Sequence, residues 1–181
     1  MTSFTRLVPV AAAALLAACA GTSLKPTPPT VVIPANLAAP ASETLLRTLW
    51  AEGVQIYECR AGTGGAAPAW VFVAPDASLK SADGVLVGHH YAGPTWEAGD
   101  GSKVVGAVKA KVDSPDAGAI PWLLLSTHST GKPGLFANVT TIQRVATVGG
   151  AMPAAGCDAT SVGQQSRVPY KAQYTQYGAT L

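Results

Sequence analysis

The sequence predicts a mainly β protein, an antiparallel β-sandwich or barrel of about seven to nine strands with one short N-terminal helix. Three observations predict it. Beyond Gly53 the chain runs in short apolar and β-branched stretches separated by Gly, Pro and Asp turns. One of these stretches, Lys103–Val112, sets Val104, Val108, Ala110 and Val112 on one face and Lys103, Lys109 and Lys111 on the other. That alternation marks a half-exposed antiparallel strand. Finally, a single stretch near the start of the folded region carries the helical period instead.

The elements follow in order. The first segment, MTSFTRLVPVAAAALLAACAG, places one charge, Arg6, before an apolar run that meets a cysteine. The run is shorter than the about 20 apolar residues of a spanning helix. Its charged start, short apolar core and small residues are those of a signal peptide covering residues 1–18. Leu16-Ala17-Ala18-Cys19 resembles the lipobox of bacterial lipoproteins, which implies lipidation at Cys19 and anchoring by more than one acyl chain. Ala20 after the cysteine implies an outer-membrane destination, with the protein facing the periplasm or the surface. Residues 19–41 then contain five prolines and no sustained period, so they read as a lipidated, proline-rich tether.

A single domain is expected over residues 42–181. Ser42 is a good N-cap, Leu45, Leu46, Leu49 and Trp50 share one helical face, and Gly53 is a good stop, which predicts a helix over 42–53. Strands are expected at Val54–Cys59, Ala69–Ala74, Gly84–Tyr91, Lys103–Val112, Trp122–His128, Val139–Thr147 and Val168–Tyr177. Cys59 and Cys157 are the two cysteines left after Cys19. In an exported chain they are expected to pair as a disulfide, free thiols or a two-thiolate metal site being the alternatives.

Several chemistries are excluded. Of the 12 basic residues only Arg6 leaves with the signal, so 11 basic and 10 acidic residues remain, and they form no basic block. Nucleic acid is not an expected partner. Gly62-Thr-Gly-Gly-Ala-Ala67 fits a dinucleotide-binding fingerprint, but Pro68-Ala-Trp-Val-Phe-Val follows it and reads as a strand. Such a loop must open a helix to hold a pyrophosphate, so this one reads as a hairpin loop. Ser129-Thr-Gly-Lys132 fits an SxxK pattern without the companion motifs or the helix it needs. No GxSxG, HExxH or Walker pattern occurs, and no catalytic residue is marked.

The stretch Gly88-His-His-Tyr-Ala-Gly-Pro-Thr-Trp-Glu97 holds two of the three histidines in the chain. Adjacent strand residues point to opposite faces. His89 and Tyr91 therefore join Val85 and Val87, which we take as the inner face, while His90 turns outward with Leu86. Asp100-Gly101 predicts a hairpin turn, across which Glu97 meets Lys103, and Trp96 is expected to pack. Tryptophan and histidine are ordinary core components, so the stretch reads first as a strand, a turn and a second strand, and two site readings stand beside that one. A ligand site near the strand end would use His90, Tyr91, Trp96 and Glu97 and needs no cofactor. A transition-metal site, for zinc or copper, would use His89, His90 and Glu97, with His128 from another strand.

Gly53-Val-Gln-Ile-Tyr-Glu-Cys59, the histidine stretch, Asp100-Gly-Ser102 and Ile120-Pro-Trp-Leu-Leu-Leu125 recur in one order with Ile142–Gly150, Gly156-Cys-Asp158 and Tyr170-Lys-Ala-Gln-Tyr174. Together they resemble the family known as domain of unknown function 3455, over most of residues 34–177. The resemblance implies no reaction. The sequence therefore predicts a lipid-anchored, non-enzymatic envelope protein that binds a small ligand or an envelope partner. A metalloprotein or metalloenzyme and a purely structural envelope protein are the alternatives.

Overall fold

The computed structural model describes Met1 and residues 31–179. The expected signal segment beyond Met1, the expected lipidation site Cys19 and the expected tether through residue 30 lie outside the described residues. The described chain forms eight strands: β1 (Glu43–Arg60), β2 (Ala69–Lys80), β3 (Leu86–Tyr91), β4 (Thr95–Ala98), β5 (Lys103–Val112), β6 (Trp122–Ser129), β7 (Thr141–Gly149) and β8 (Gln165–Ala179). Each pairs antiparallel with the next, and β8 returns to β1, so the sheet closes into a barrel. Closure leaves no sheet edge. A 3-10 turn at Ala35–Leu37 is the one helical element among the described residues.

The helix expected over 42–53 is absent, and the segment is the first half of β1. Its backbone pairs with β8 from Glu43↔Ala179 to Glu58↔Gln165 and with β2 from Trp50↔Lys80 onward. A local stripe of four apolar residues cannot compete with two ladders of that length, since tertiary pairing overrides propensity. The barrel sorts the segment by strand parity instead. Leu49 and Ala51 face inward, while Leu45, Leu46 and Trp50 keep much of their surface in solvent. Gly53, read as a helix stop, sits opposite Ala77 on β2, and a Cβ there would collide with the Asp76 carbonyl and Ala77. The short strand β4 was not expected as an element of its own.

The interior is asymmetric along its axis. Toward one end Leu49, Leu79, Ala98, Val104, Val139 and Ile142 share the buried core with Phe136, which is fully buried. Phe136 lies in the β6–β7 loop, which closes this end as a plug. The predicted Asp100-Gly101 turn holds it there. Gly101 sits at φ +83°, and Asp100 accepts from the Leu135 N–H (2.8 Å) and the Ser102 hydroxyl (2.6 Å). The Ser102 hydroxyl oxygen in turn accepts from the Phe136 N–H at 2.9 Å.

Outside the barrel, Trp122, Leu124 and Val145 form a second cluster with Val31, Ile33 and Leu37. Gln143 fastens it by donating from Nε2 to the Leu37 carbonyl. Residues 31–37, expected as tether, thus lie on the barrel wall. At the other end of the barrel Cys59 and Cys157 are joined as a disulfide, which ties the end of β1 to the β7–β8 loop. Trp70 Nε1 donates to the Ala155 carbonyl at 2.9 Å and holds the same loop against β2. The Gly62–Ala67 segment is the β1–β2 hairpin loop and opens no helix.

Candidate ligand-binding site

The end opposite the plug contains a cavity of about 440 Å³, within the range of roughly 300–1,000 Å³ typical of small-molecule sites. His90, Trp96 and Tyr174 form a packed aromatic floor. The His90 ring stacks on Trp96 with centroids 4.2 Å apart and planes 15° from parallel. Tyr174 meets both rings edge-on, at 5.1 Å from His90 and 5.4 Å from Trp96. Offset stacking and edge contacts of this kind suit the ring quadrupoles.

His90 is only 2 % exposed, which corrects the outward placement expected from its parity. The alternation itself holds: His89 and His90 do point to opposite faces. The inner face was misassigned, because Val85 is exposed and a register shift between Leu86 and Gly88 falls at Val87, which packs on the core, so that Gly88 and His90 take the interior positions. His90 Nδ1 lies 2.8 Å from the Thr95 carbonyl, which can only accept. Nδ1 therefore carries the hydrogen, and Nε2 is a bare acceptor. Burial, aided by the Arg144 charge and opposed by the Thr95 bond, pushes the imidazole down to about 3. The ring is neutral at physiological pH.

The polar groups of the cavity wall come from β1, β7 and β8. Tyr57 donates to the Gly150 carbonyl at 2.6 Å, and burial pushes its phenol up. Arg144, on the interior parity of β7 two residues after Ile142, donates from Nε and Nη2 to the Pro121 carbonyl at 3.0 and 2.8 Å. Both bonds go to one oxygen, so the guanidinium plane is fixed. Gln55 Nε2, Trp96 Nε1 and the Tyr174 hydroxyl are buried with no hydrogen-bond partner among the described residues. Tyr170 and Arg144 approach the Tyr174 hydroxyl without reaching hydrogen-bond geometry, and burial raises the Tyr174 pKa. Phe72, Val73 and Val108 supply the apolar wall toward solvent.

The four residues expected at a ligand site are thus split by the sheet. His90 and Trp96 line the cavity, whereas Tyr91 and Glu97 lie on the outer face. There Tyr91 donates its hydroxyl to the Glu97 carboxylate, and Lys103 Nζ stands 3.5 Å from it. The Tyr91 hydrogen bond is the main cause that lowers the Glu97 pKa, and the same bond raises that of Tyr91. His89 pairs with Glu97 across β3–β4, while His128 lies opposite Val105 on β6. The metal set His89, His90, Glu97 and His128 is divided between inside and outside. Among the described residues, no group of three or more His, Cys, Asp or Glu side chains could hold a metal ion.

Sequence reasoning missed Gln55, Tyr57, Arg144 and Tyr174. The one available signal was Arg144, a charge two positions from Ile142 and so on the same face of its strand.

The model of a family described as protein of unknown function (DUF3455) matches residues 40–178. No curated protein and no solved structure matches the chain.

Proposed function

This chain belongs to the DUF3455 family of proteins of unknown function, and we propose from its own geometry that it is a non-enzymatic barrel that binds a small, largely apolar ligand. The observation that carries this reading is the cavity of about 440 Å³ above the His90–Trp96–Tyr174 floor. An eight-stranded barrel has an interior just wide enough for side chains to fill it or for one small ligand. Here side chains fill one end, and the other end is left as the cavity.

A neutral apolar fluorophore, N-phenyl-1-naphthylamine, tests the reading. The protein should bind about one equivalent, with quenching of tryptophan emission from the floor. Val108→Trp narrows the mouth at a largely exposed position. It should weaken binding about ten-fold, a change of ~1.4 kcal/mol, with little change in melting temperature. An absence of saturable binding, or equal binding by Val108→Trp, would refute the proposal.

The same reading sets the barrel in a bacterial envelope, tethered through Cys19, on the support of the Leu16–Cys19 pattern. Labelled palmitate should enter the wild-type protein and not Cys19→Ser. Label in the variant counts against the anchor.

A further inference from the structure

We infer that the ligand carries a monoanionic, carboxylate-type head group, which Arg144 binds inside the barrel. The inference rests on the cavity being a binding site and adds the chemical class of what enters it. Among the described residues lining the cavity, Arg144 is the one charged side chain, and none carries a carboxylate. Its guanidinium has no ion-pair partner there. The Pro121 carbonyl takes two of its N–H groups, and the others, on the terminal nitrogens, have no acceptor among the described residues. A guanidinium held along its Nε–Nη2 edge and free along its terminal edge is pre-organised for a planar carboxylate.

The neighbouring groups point the same way. His90 is neutral and adds no competing charge. Gln55 Nε2 and the Tyr174 hydroxyl are buried donors without partners. A donor-rich wall with a single cation suits one negative charge better than a dianion, and it gives a cationic ligand no counter-charge. The aromatic floor and the Phe72–Val73–Val108 wall suit an apolar body on that head group. The class is therefore an amphipathic carboxylic acid, aliphatic or aromatic.

The test compares probes that differ only in the head group: decanoate with decanamide, and 2-naphthoate with 2-naphthamide. Each is titrated by displacement of N-phenyl-1-naphthylamine from the mature chain at near-neutral pH. In at least one pair the carboxylate should bind ten-fold or more tighter, and the pair that shows it identifies the aliphatic or the aromatic body. Arg144→Gln should reduce that preference to less than two-fold while leaving amide affinity within two-fold. Arg144→Lys keeps the charge but loses the planar fork, so it should retain a smaller preference that salt suppresses. It serves if Arg144→Gln does not fold. Equal binding within both wild-type pairs, or an undiminished preference in both Arg144 variants, would overturn the inference. Dye binding without a carboxylate preference removes the head-group assignment alone. Failure of dye and all four probes removes the cavity reading with it.

Discussion

The buried imidazole makes the stability of the barrel depend on pH in a defined window. His90 has an ordinary pKa of 6.5 and is held down to about 3 in the folded barrel. Above pH 6.5 the ring is neutral in both states and the effect is absent. Below pH 6.5 the unfolded chain takes up a proton that the folded barrel refuses. The unfolded state then binds more protons, so stability rises with pH across the window and falls on acidification. The loss grows at roughly 1.4 kcal/mol per pH unit and levels off near pH 3. Its full size is on the order of 5 kcal/mol, a large share of the roughly 5–15 kcal/mol that holds a domain together.

His90→Gln isolates this contribution. The glutamine amide can still donate to the Thr95 carbonyl, does not titrate, and retains much of the stacking volume on Trp96. The variant should be less stable than wild type at pH 7 by about 1–3 kcal/mol, because the aromatic stack is lost. Its stability between pH 6.5 and 4 should nevertheless be flatter. Urea unfolding followed by circular dichroism at half-unit pH steps reads both slopes. Asp100, held down from 3.8 to about 2 chiefly by the Ser102 hydroxyl and then by the Leu135 and Ser102 N–H groups, loses its contribution between those values, below the pH 6.5–4 comparison. Identical wild-type and variant slopes between pH 6.5 and 4 would refute the buried neutral imidazole.

Two further outcomes follow from the ends of the barrel. The Cys59–Cys157 bond spans 98 residues, and a loop near that length is worth roughly 4–5 kcal/mol in the chain-entropy model. Cys157→Ser should cost that order in a urea melt, and the unreduced native protein should resist thiol labelling at both cysteines; ready labelling would count against the bond. Ser102→Ala removes the acceptor of the Phe136 N–H and should cost about 1–3 kcal/mol, with hydrogen exchange rising first in the β6–β7 loop. Unchanged exchange at Phe136 would show that the plug is held by other contacts.

What the sequence made legible was local. Asp100-Gly101 specifies its turn through a residue pair that needs positive φ. Lys103–Val112 displays its alternation, and Cys59 and Cys157 are the two cysteines left beyond Cys19. What stayed hidden was set by distant partners. Leu45, Leu46, Leu49 and Trp50 fit a helical stripe, and only β8, more than a hundred residues on, makes them a strand. The parity of His89 and His90 was readable, but the inner face was not, because the interior of β3 is lined by a glycine and a histidine. β7 hid Arg144 for a related reason. Gln143 and Val145 on its outer face are buried beneath residues 31–37, so neither face reads as the solvent side. The one mark on such a strand was the charge itself, two positions from Ile142.

The two ends of the barrel interior offer a comparison within one molecule. Each holds an arginine among aromatic rings. At the plugged end Arg47 donates from Nη1 to Gln176 Oε1 at 2.8 Å, lies 5.6 Å from the centre of the Phe136 ring, and has the Asp100 charge nearby. Its acceptor, its ring and its counter-charge all come from the chain, as desolvation of a cation demands. At the open end Arg144 has a carbonyl that orients it, aromatic neighbours and no carboxylate. The β7–β8 loop, bound to β1 and β2 through Cys157 and Ala155, contributes no residue to the cavity lining. The disulfide thus holds this loop at the rim, while the plug on the other end inserts Phe136. The same eight strands therefore satisfy a cation where the interior is filled and leave one unsatisfied where it is open, which is the distribution expected if the missing acceptor arrives with a ligand.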